Sequence, residues 1–146
     1  MEVYKMGLLS GLAKLAGESV RIKKTANTEA QLDPKYQQAL EEMRQRAENG
    51  DLYCMYQLAS YYYNGEYVGY DPEKACYWWT EAANRGHVDS MYNLGLLYGG
   101  DVSSYYYDEN LAGYWLNKAA QNGDQDAAQE LRNYKYSSFR NKWVKR

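Results

Sequence analysis

At 146 residues, with 45% hydrophobic and 25% charged content, the chain has room for one domain with a real core. No apolar run approaches the length of a membrane span, and two cysteines without a framework of even spacing argue against a disulfide scaffold. The net charge of −2 conceals a segregation: residues 1–30 carry +2, residues 31–131 carry −10, and residues 132–146 carry six basic groups and no acid. An acidic body favours a basic partner, or equally a basic tail folded back on it. The 18 Tyr against one Phe mean that nearly all the aromatic bulk carries a hydroxyl, which suits half-buried surfaces and rigid amphipathic contacts.

In chain order, Leu8, Leu9, Leu12, Leu15 and Ala16 have helical spacing and 21–28 reads as a linker. Residues 1–30 are therefore set apart as an amphipathic helix and linker, with a capping helix, a docking helix and disorder all left open. Lys14 interrupts the stretch from Gly7 to Gly17 and no small-x-small site follows, so it is not read as a signal peptide and a cytoplasmic location is expected. Helices are then expected over Pro34–Glu48, Asp51–Asn64, Pro72–Asn84, His87–Gly99, Glu109–Gln121 and from Asp124 to about Tyr136. Gly50, Gly86 and Gly123 suit the left-handed position after a helix, and Asp51, Asp71, Asp108 and Asp124 suit N-caps. Pro72 takes the favoured first helical position. Residues 137–146 read as a basic, aromatic tail.

The stretch from Asn49 to Gly65 recurs from Arg85 to Gly100, and that from Asp71 to Gly86 recurs from Asp108 to Gly123, at periods of 36 and 37 residues. Such a period implies helical hairpins that bury their apolar faces only by stacking. The residues Cys54, Leu58, Ala59, Tyr62, Gly65, Val68, Asp71, Lys74, Ala75, Trp78, Ala82, Ala83 and Gly86 carry one copy. Ser90, Leu94, Gly95, Tyr98, Asp108, Ala112, Trp115, Lys118, Ala119, Ala120 and Gly123 carry the next. A third, partial copy keeps Ala127 and Leu131 but has Arg132 where a small residue is preferred. This pattern resembles the Sel1-like repeats, relatives of the tetratricopeptide repeats. The resemblance implies an all-α, right-handed superhelix over residues 31–136, with two full repeats and partial ones at both ends. Ala59 and Gly95 should let the paired helices approach closely, while Trp78 and Trp115 should fill space between hairpins.

The residues left over by the repeat code are the candidates for function. On successive first helices they are Tyr53, Tyr56, Gln57, Ser60 and Tyr63; then Asp89, Tyr92, Asn93 and Leu96; then Asp126, Gln129 and Asn133. By resemblance these face a concave groove that holds a protein partner, with the tyrosines as anchors and the amides and acids as adaptable hydrogen-bonding groups. Packing between neighbouring helices is the competing use of these rings. The run Tyr105–Tyr107 is a second candidate surface.

Catalytic chemistry finds little support. His87 is the only histidine and stands at a helix start, Cys54 and Cys76 are dispersed, and neither a metal-ligand set nor a phosphate loop is present. No cofactor is expected. The aromatic, basic end could contact nucleic acid, but the acidic body argues against it. The reading is a non-enzymatic interaction protein, monomeric for preference. Alternatives are a bacterial immunity protein masking a basic toxin and, more remotely, a hydrolase.

Overall fold

The computed structural model describes residues 32–100 and 104–146, so the expected N-terminal helix and linker at 1–30 lie outside the described residues. In chain order the elements are α1 (Pro34–Glu48), α2 (Leu52–Asn64), α3 (Pro72–Asn84), α4 (Val88–Gly99), α5 (Glu109–Gln121) and α6 (Gln125–Glu130). A 3-10 turn (Leu131–Asn133) leads into β1 (Tyr134–Ser137) and β2 (Lys142–Lys145). The fold class is all-α with one appended β-hairpin. The chain falls into two compact units, one ending at Ala75 and the other running from Cys76 to Arg146.

The turns show why the repeat has its sequence. After α1, Gly50 takes φ +95°, which a side chain would strain. Its N–H donates to the Ala47 carbonyl at 3.0 Å, and the next N–H, of Asp51, reaches the Arg46 carbonyl at 3.0 Å. That pair of bonds satisfies carbonyls otherwise orphaned at the helix end. The same Asp51 then caps α2, its carboxylate accepting from the Cys54 N–H at 3.0 Å. One Gly-Asp pair thus closes one helix and opens the next. Gly123-Asp124 repeats the device between α5 and α6, and Gly86-His87 does so between α3 and α4 with an imidazole in place of the carboxylate.

The other turn type also recurs. The backbone N–H of Asp71 donates to the Tyr62 carbonyl, and that of Asp108 to the Tyr98 carbonyl, both at 2.9 Å. Asp71 caps through the Lys74 N–H at 3.0 Å, and Asp108 through the N–H groups of Asn110 and Leu111 at 2.9 and 3.0 Å. All four expected aspartate caps are formed.

Burial follows most of the repeat code, with Tyr98, Ala120 and Leu131 only half-buried. Cys54, Leu58, Ala59, Tyr62, Val68 and Ala75 are buried in the first unit, and Ser90, Leu94, Gly95, Ala112, Trp115, Ala119 and Ala127 in the second. The first repeat also departs at its tryptophan: Trp79 is buried, while Trp78 is only half-buried and makes a T-shaped contact with Tyr77. In the second unit α4 packs on α5, and a Cβ placed on Gly95 would lie 2.6 Å from Leu116 Cγ and 3.3 Å from its backbone nitrogen. Glycine there is the condition for that approach.

The last stretch departs from expectation. The helix expected to reach Tyr136 stops at Glu130, and its expected last residues pair with the expected tail in an antiparallel hairpin, Tyr134 opposite Lys145 and Tyr136 opposite Trp143. Tyr134 is buried, and Trp143 covers Gly113 so closely that a Cβ there would lie 2.4 Å from Trp143 Cβ. The backbone N–H groups of Trp143 and Lys145 donate to Asn110 Oδ1 (2.9 Å) and Glu109 Oε2 (3.0 Å). Side chains of α5 thereby occupy the donors on the open edge of β2, where another strand would otherwise add. The hairpin caps α5 where a further helical repeat would have been expected.

Candidate functional site

Tyr53, Tyr56, Gln57, Ser60 and Tyr63 lie at helical spacings that put them on one side of α2. Core contacts use the other side, through Cys54, Met55, Leu58, Ala59, Tyr61 and Tyr62. Tyr53 is 48% exposed and Tyr63 41%, whereas Tyr56, Gln57 and Ser60 are half-buried. Ser60 Oγ donates to the Tyr56 carbonyl at 3.0 Å, so its hydroxyl is partly satisfied within the helix. The face therefore presents two exposed tyrosines flanking half-buried Tyr56, Gln57 and Ser60.

In the second unit, Asp89 on α4 and Asp126 and Gln129 on α6 are exposed, and Tyr92 and Asn93 are half-buried. Leu96, exposed at 42%, continues the α4 face where the first repeat has Ser60. The phenol of Tyr92 is pushed above its ordinary pKa by partial burial and by the nearby charges of Asp126, Glu130 and Asp124. This brings the α6 acids to the α4 tyrosine and makes the surface electronegative. Asp124 and Glu130 were not among the candidates from sequence; each lies two or four residues from Asp126 on the α6 turn, and that spacing was the available signal.

The remaining candidates divide. In the run before α5, Tyr105 is 94% exposed and stands edge-on to Tyr106, while Tyr107 donates its hydroxyl to Glu109 Oε1 at 2.9 Å. His87 is a structural cap: the Ser90 N–H donates to its Nδ1 at 3.3 Å, and the Ser90 hydroxyl lies 3.0 Å from the same nitrogen. Cys54 is fully buried, and burial followed by the Asp51 charge pushes its thiol up to about 11, which keeps it protonated at neutral pH. Cys76 Sγ sits 3.3 Å from the Tyr98 hydroxyl. Among the described residues no group of three His, Cys, Asp or Glu side chains could hold a metal ion, and no helix is long and apolar enough to cross a membrane.

The recurring caps, the small buried positions and the two turn types coincide with two matches to the Sel1 repeat family, at residues 52–87 and 88–124. The chain belongs to the Sel1 repeat family. Among solved structures it is similar to a Sel1 repeat protein from Oxalobacter formigenes, at 27% identity and a TM-score of 0.56, over 63% of this chain and 68% of that one. It is also similar to c5321, described as a protective antigen of uropathogenic Escherichia coli strains with an SLR fold, at 28% identity and a TM-score of 0.60. That match covers 66% of this chain but only 21% of the longer c5321 chain. A search of curated proteins found no match. Sel1 repeat folds are, in general, protein-interaction scaffolds.

Proposed function

We propose that this protein is a non-catalytic binding module whose partner surfaces are the faces left free by the repeat code: Tyr53, Tyr56, Gln57, Ser60 and Tyr63 on α2, and Asp89, Tyr92, Asn93, Asp126 and Gln129 on α4 and α6. The carrying observation is the division of α2. One side supplies six buried residues, and the other holds two exposed tyrosines. Tyrosine is the side chain best suited to that position, since it offers large contact area at low entropic cost and a hydroxyl for water or a partner. The reading without catalysis is supported by where reactive groups go: the single imidazole caps α4, and the Cys54 thiol is buried and protonated.

A second reading follows from the acids. Residues 31–131 carry −10, and Asp124, Asp126 and Glu130 gather near Tyr92, which favours a basic partner such as the active site of a toxin that this protein would neutralise. A cytoplasmic adaptor and a bacterial immunity protein are the two forms this function would take.

Affinity capture from native cytosol, with partners identified by mass spectrometry, tests both. The Tyr53→Ala/Tyr63→Ala variant should melt like the parent and lose its partners if α2 carries binding. A single basic partner, captured stoichiometrically and released by salt, supports neutralisation. Retention of every partner by both this variant and Asp126→Lys would sink the surface assignment.

A further inference from the structure

The only phenylalanine in a chain of 18 tyrosines, Phe139, is also the most exposed large apolar side chain among the described residues, at 97%. The other exposed aromatic rings among those residues, Tyr105 at 94% and Tyr77 at 56% included, carry a hydroxyl. Phe139, which meets water on nearly all sides, carries none.

Phe139 stands at the tip of the β-hairpin, in the four-residue connection 138–141 between β1 and β2. That connection is pinned. The Arg140 N–H donates to Ser137 Oγ at 3.3 Å, Tyr136 donates its hydroxyl to Asn141 Oδ1, and Asn141 adopts a left-handed φ of 49°. Below the tip, Tyr136 packs edge-on against Trp143 at 5.6 Å, and Trp143 is clamped on Gly113. Phe139 is therefore presented on a rigid stalk.

Around it the charge is of one sign. Residues 132–146 hold six cations and no acid, and all six are exposed. Lys145 and Arg146 bond at the hairpin base to the Gly99 and Tyr134 carbonyls. Lys135 and Lys142 lie on the strand face opposite Trp143, and Arg140 adjoins Phe139. The acids nearest the hairpin, Glu109 and Glu130, are at that base too, where Glu109 accepts the Lys145 N–H and Glu130 the Asn133 amide. Four residues of strand set the tip about 10 Å beyond the base, a distance comparable to the physiological Debye length of about 8 Å.

From this we infer that the hairpin docks on the surface of an anionic lipid bilayer, with Phe139 entering the interfacial layer and Arg140, Lys142 and Lys135 meeting lipid phosphates. A flat anionic surface interacts mainly with groups within a Debye length, so it reads the basic tip more strongly than Glu109 and Glu130 at the base. A polyanion such as a nucleic acid can wrap, and would meet Glu109 and Glu130 at the hairpin base. Nor does the hairpin offer it a row of parallel stacking rings, since Trp143 lies on α5 and Tyr136 stands at a steep angle to it. One apolar ring and a few cations give reversible, salt-sensitive binding. This surface is separate from the α2 and α4 faces and does not depend on their assignment.

Co-sedimentation of the whole chain with vesicles tests it, using phosphatidylcholine alone and phosphatidylcholine mixed equally with phosphatidylglycerol. The parent should partition onto the mixed vesicles only, and less as salt rises. Phe139→Ser should lower the partition coefficient about tenfold, and each of Lys135→Gln, Arg140→Gln and Lys142→Gln about fivefold. Unchanged melting in these variants shows that the effect lies at the surface. The inference is overturned if the parent ignores phosphatidylglycerol vesicles at low salt, or if Phe139→Ser binds them as the parent does. It is equally overturned if the same substitutions abolish self-association or oligonucleotide binding without vesicles and leave vesicle binding intact.

Discussion

Gly95 and Gly113 face the same steric demand in different company. A Cβ on Gly95 would strike Leu116 where α4 meets α5, and one on Gly113 would strike Trp143 where the hairpin meets α5. Both glycines sit inside helices, where glycine costs about 1 kcal/mol relative to alanine, so in each case close packing outweighs propensity. The difference lies in what rests on the contact. Behind Gly95 are Leu94, Ala112, Leu116 and Ala119, all buried. Behind Gly113 is a two-stranded hairpin, whose own stability in water is marginal without packing.

The repeat side should therefore yield the largest effects. Leu94→Ala, at a fully buried site, should cost about 2–5 kcal/mol and show as a large fall in the denaturant midpoint. Gly95→Ala should cost about 1–3 kcal/mol in spite of its propensity gain, and a double-mutant cycle with Leu116→Ala should recover part of it. If Gly95→Ala raises the melting temperature instead, the α4–α5 approach is looser than 2.6 Å implies.

Next in size come the turn caps. Asp51→Ala should cost about 1 kcal/mol for the lost N-cap. Asp51→Asn should cost less, because it keeps the bond to the Cys54 N–H and loses only the charge facing Arg46, whose Nε donates at 3.1 Å. Burial raises the Asp51 carboxyl, but the Cys54 N–H and Arg46 outweigh it and hold the pKa below the ordinary value. With a depressed folded-state pKa, this stabilisation is complete above about pH 4 and is lost as pH falls through the lower folded value. Chemical denaturation at neutral pH and near pH 3 should show a smaller acid-induced loss in Asp51→Asn than in the parent. Equal losses would assign the acid sensitivity to other carboxylates.

The same contrast explains what could be read without coordinates. Helix ends were readable because a left-handed glycine followed by a capping side chain has one conformational use, and the period placed it three times, as Gly50-Asp51, Gly86-His87 and Gly123-Asp124. The buried set was readable because a helix repeats its face at i, i+4 and i+8. Trp78 and Trp79 were confused because adjacent residues on a helix differ by only 100°, so the half-buried one passes for the buried one. The hairpin was missed for another reason. Its strands are four residues each, too short for alternation to compete with a helix already expected to continue from Asp124. Tyr-Lys-Tyr and Trp-Val do favour strand, but only Gly113, Asn110 and Glu109, far off in sequence, make that preference decisive. The acidic surroundings of Tyr92 were equally non-local, because they need α6 folded against α4.

The smallest global effect is expected at Gly113→Ala. The new methyl displaces Trp143, which favours release of the hairpin, while the helix gains about 1 kcal/mol in propensity. The two terms act on different parts of the molecule, so the main unfolding transition should move little. Local protection should not survive. In the parent the Trp143 and Lys145 amides are bonded to Asn110 and Glu109, and they should exchange slowly with solvent. In Gly113→Ala both should exchange fast, while the Leu94 and Leu116 amides keep their protection. If core and hairpin amides lose protection together, the hairpin is part of the cooperative core, and Gly95 and Gly113 do the same work.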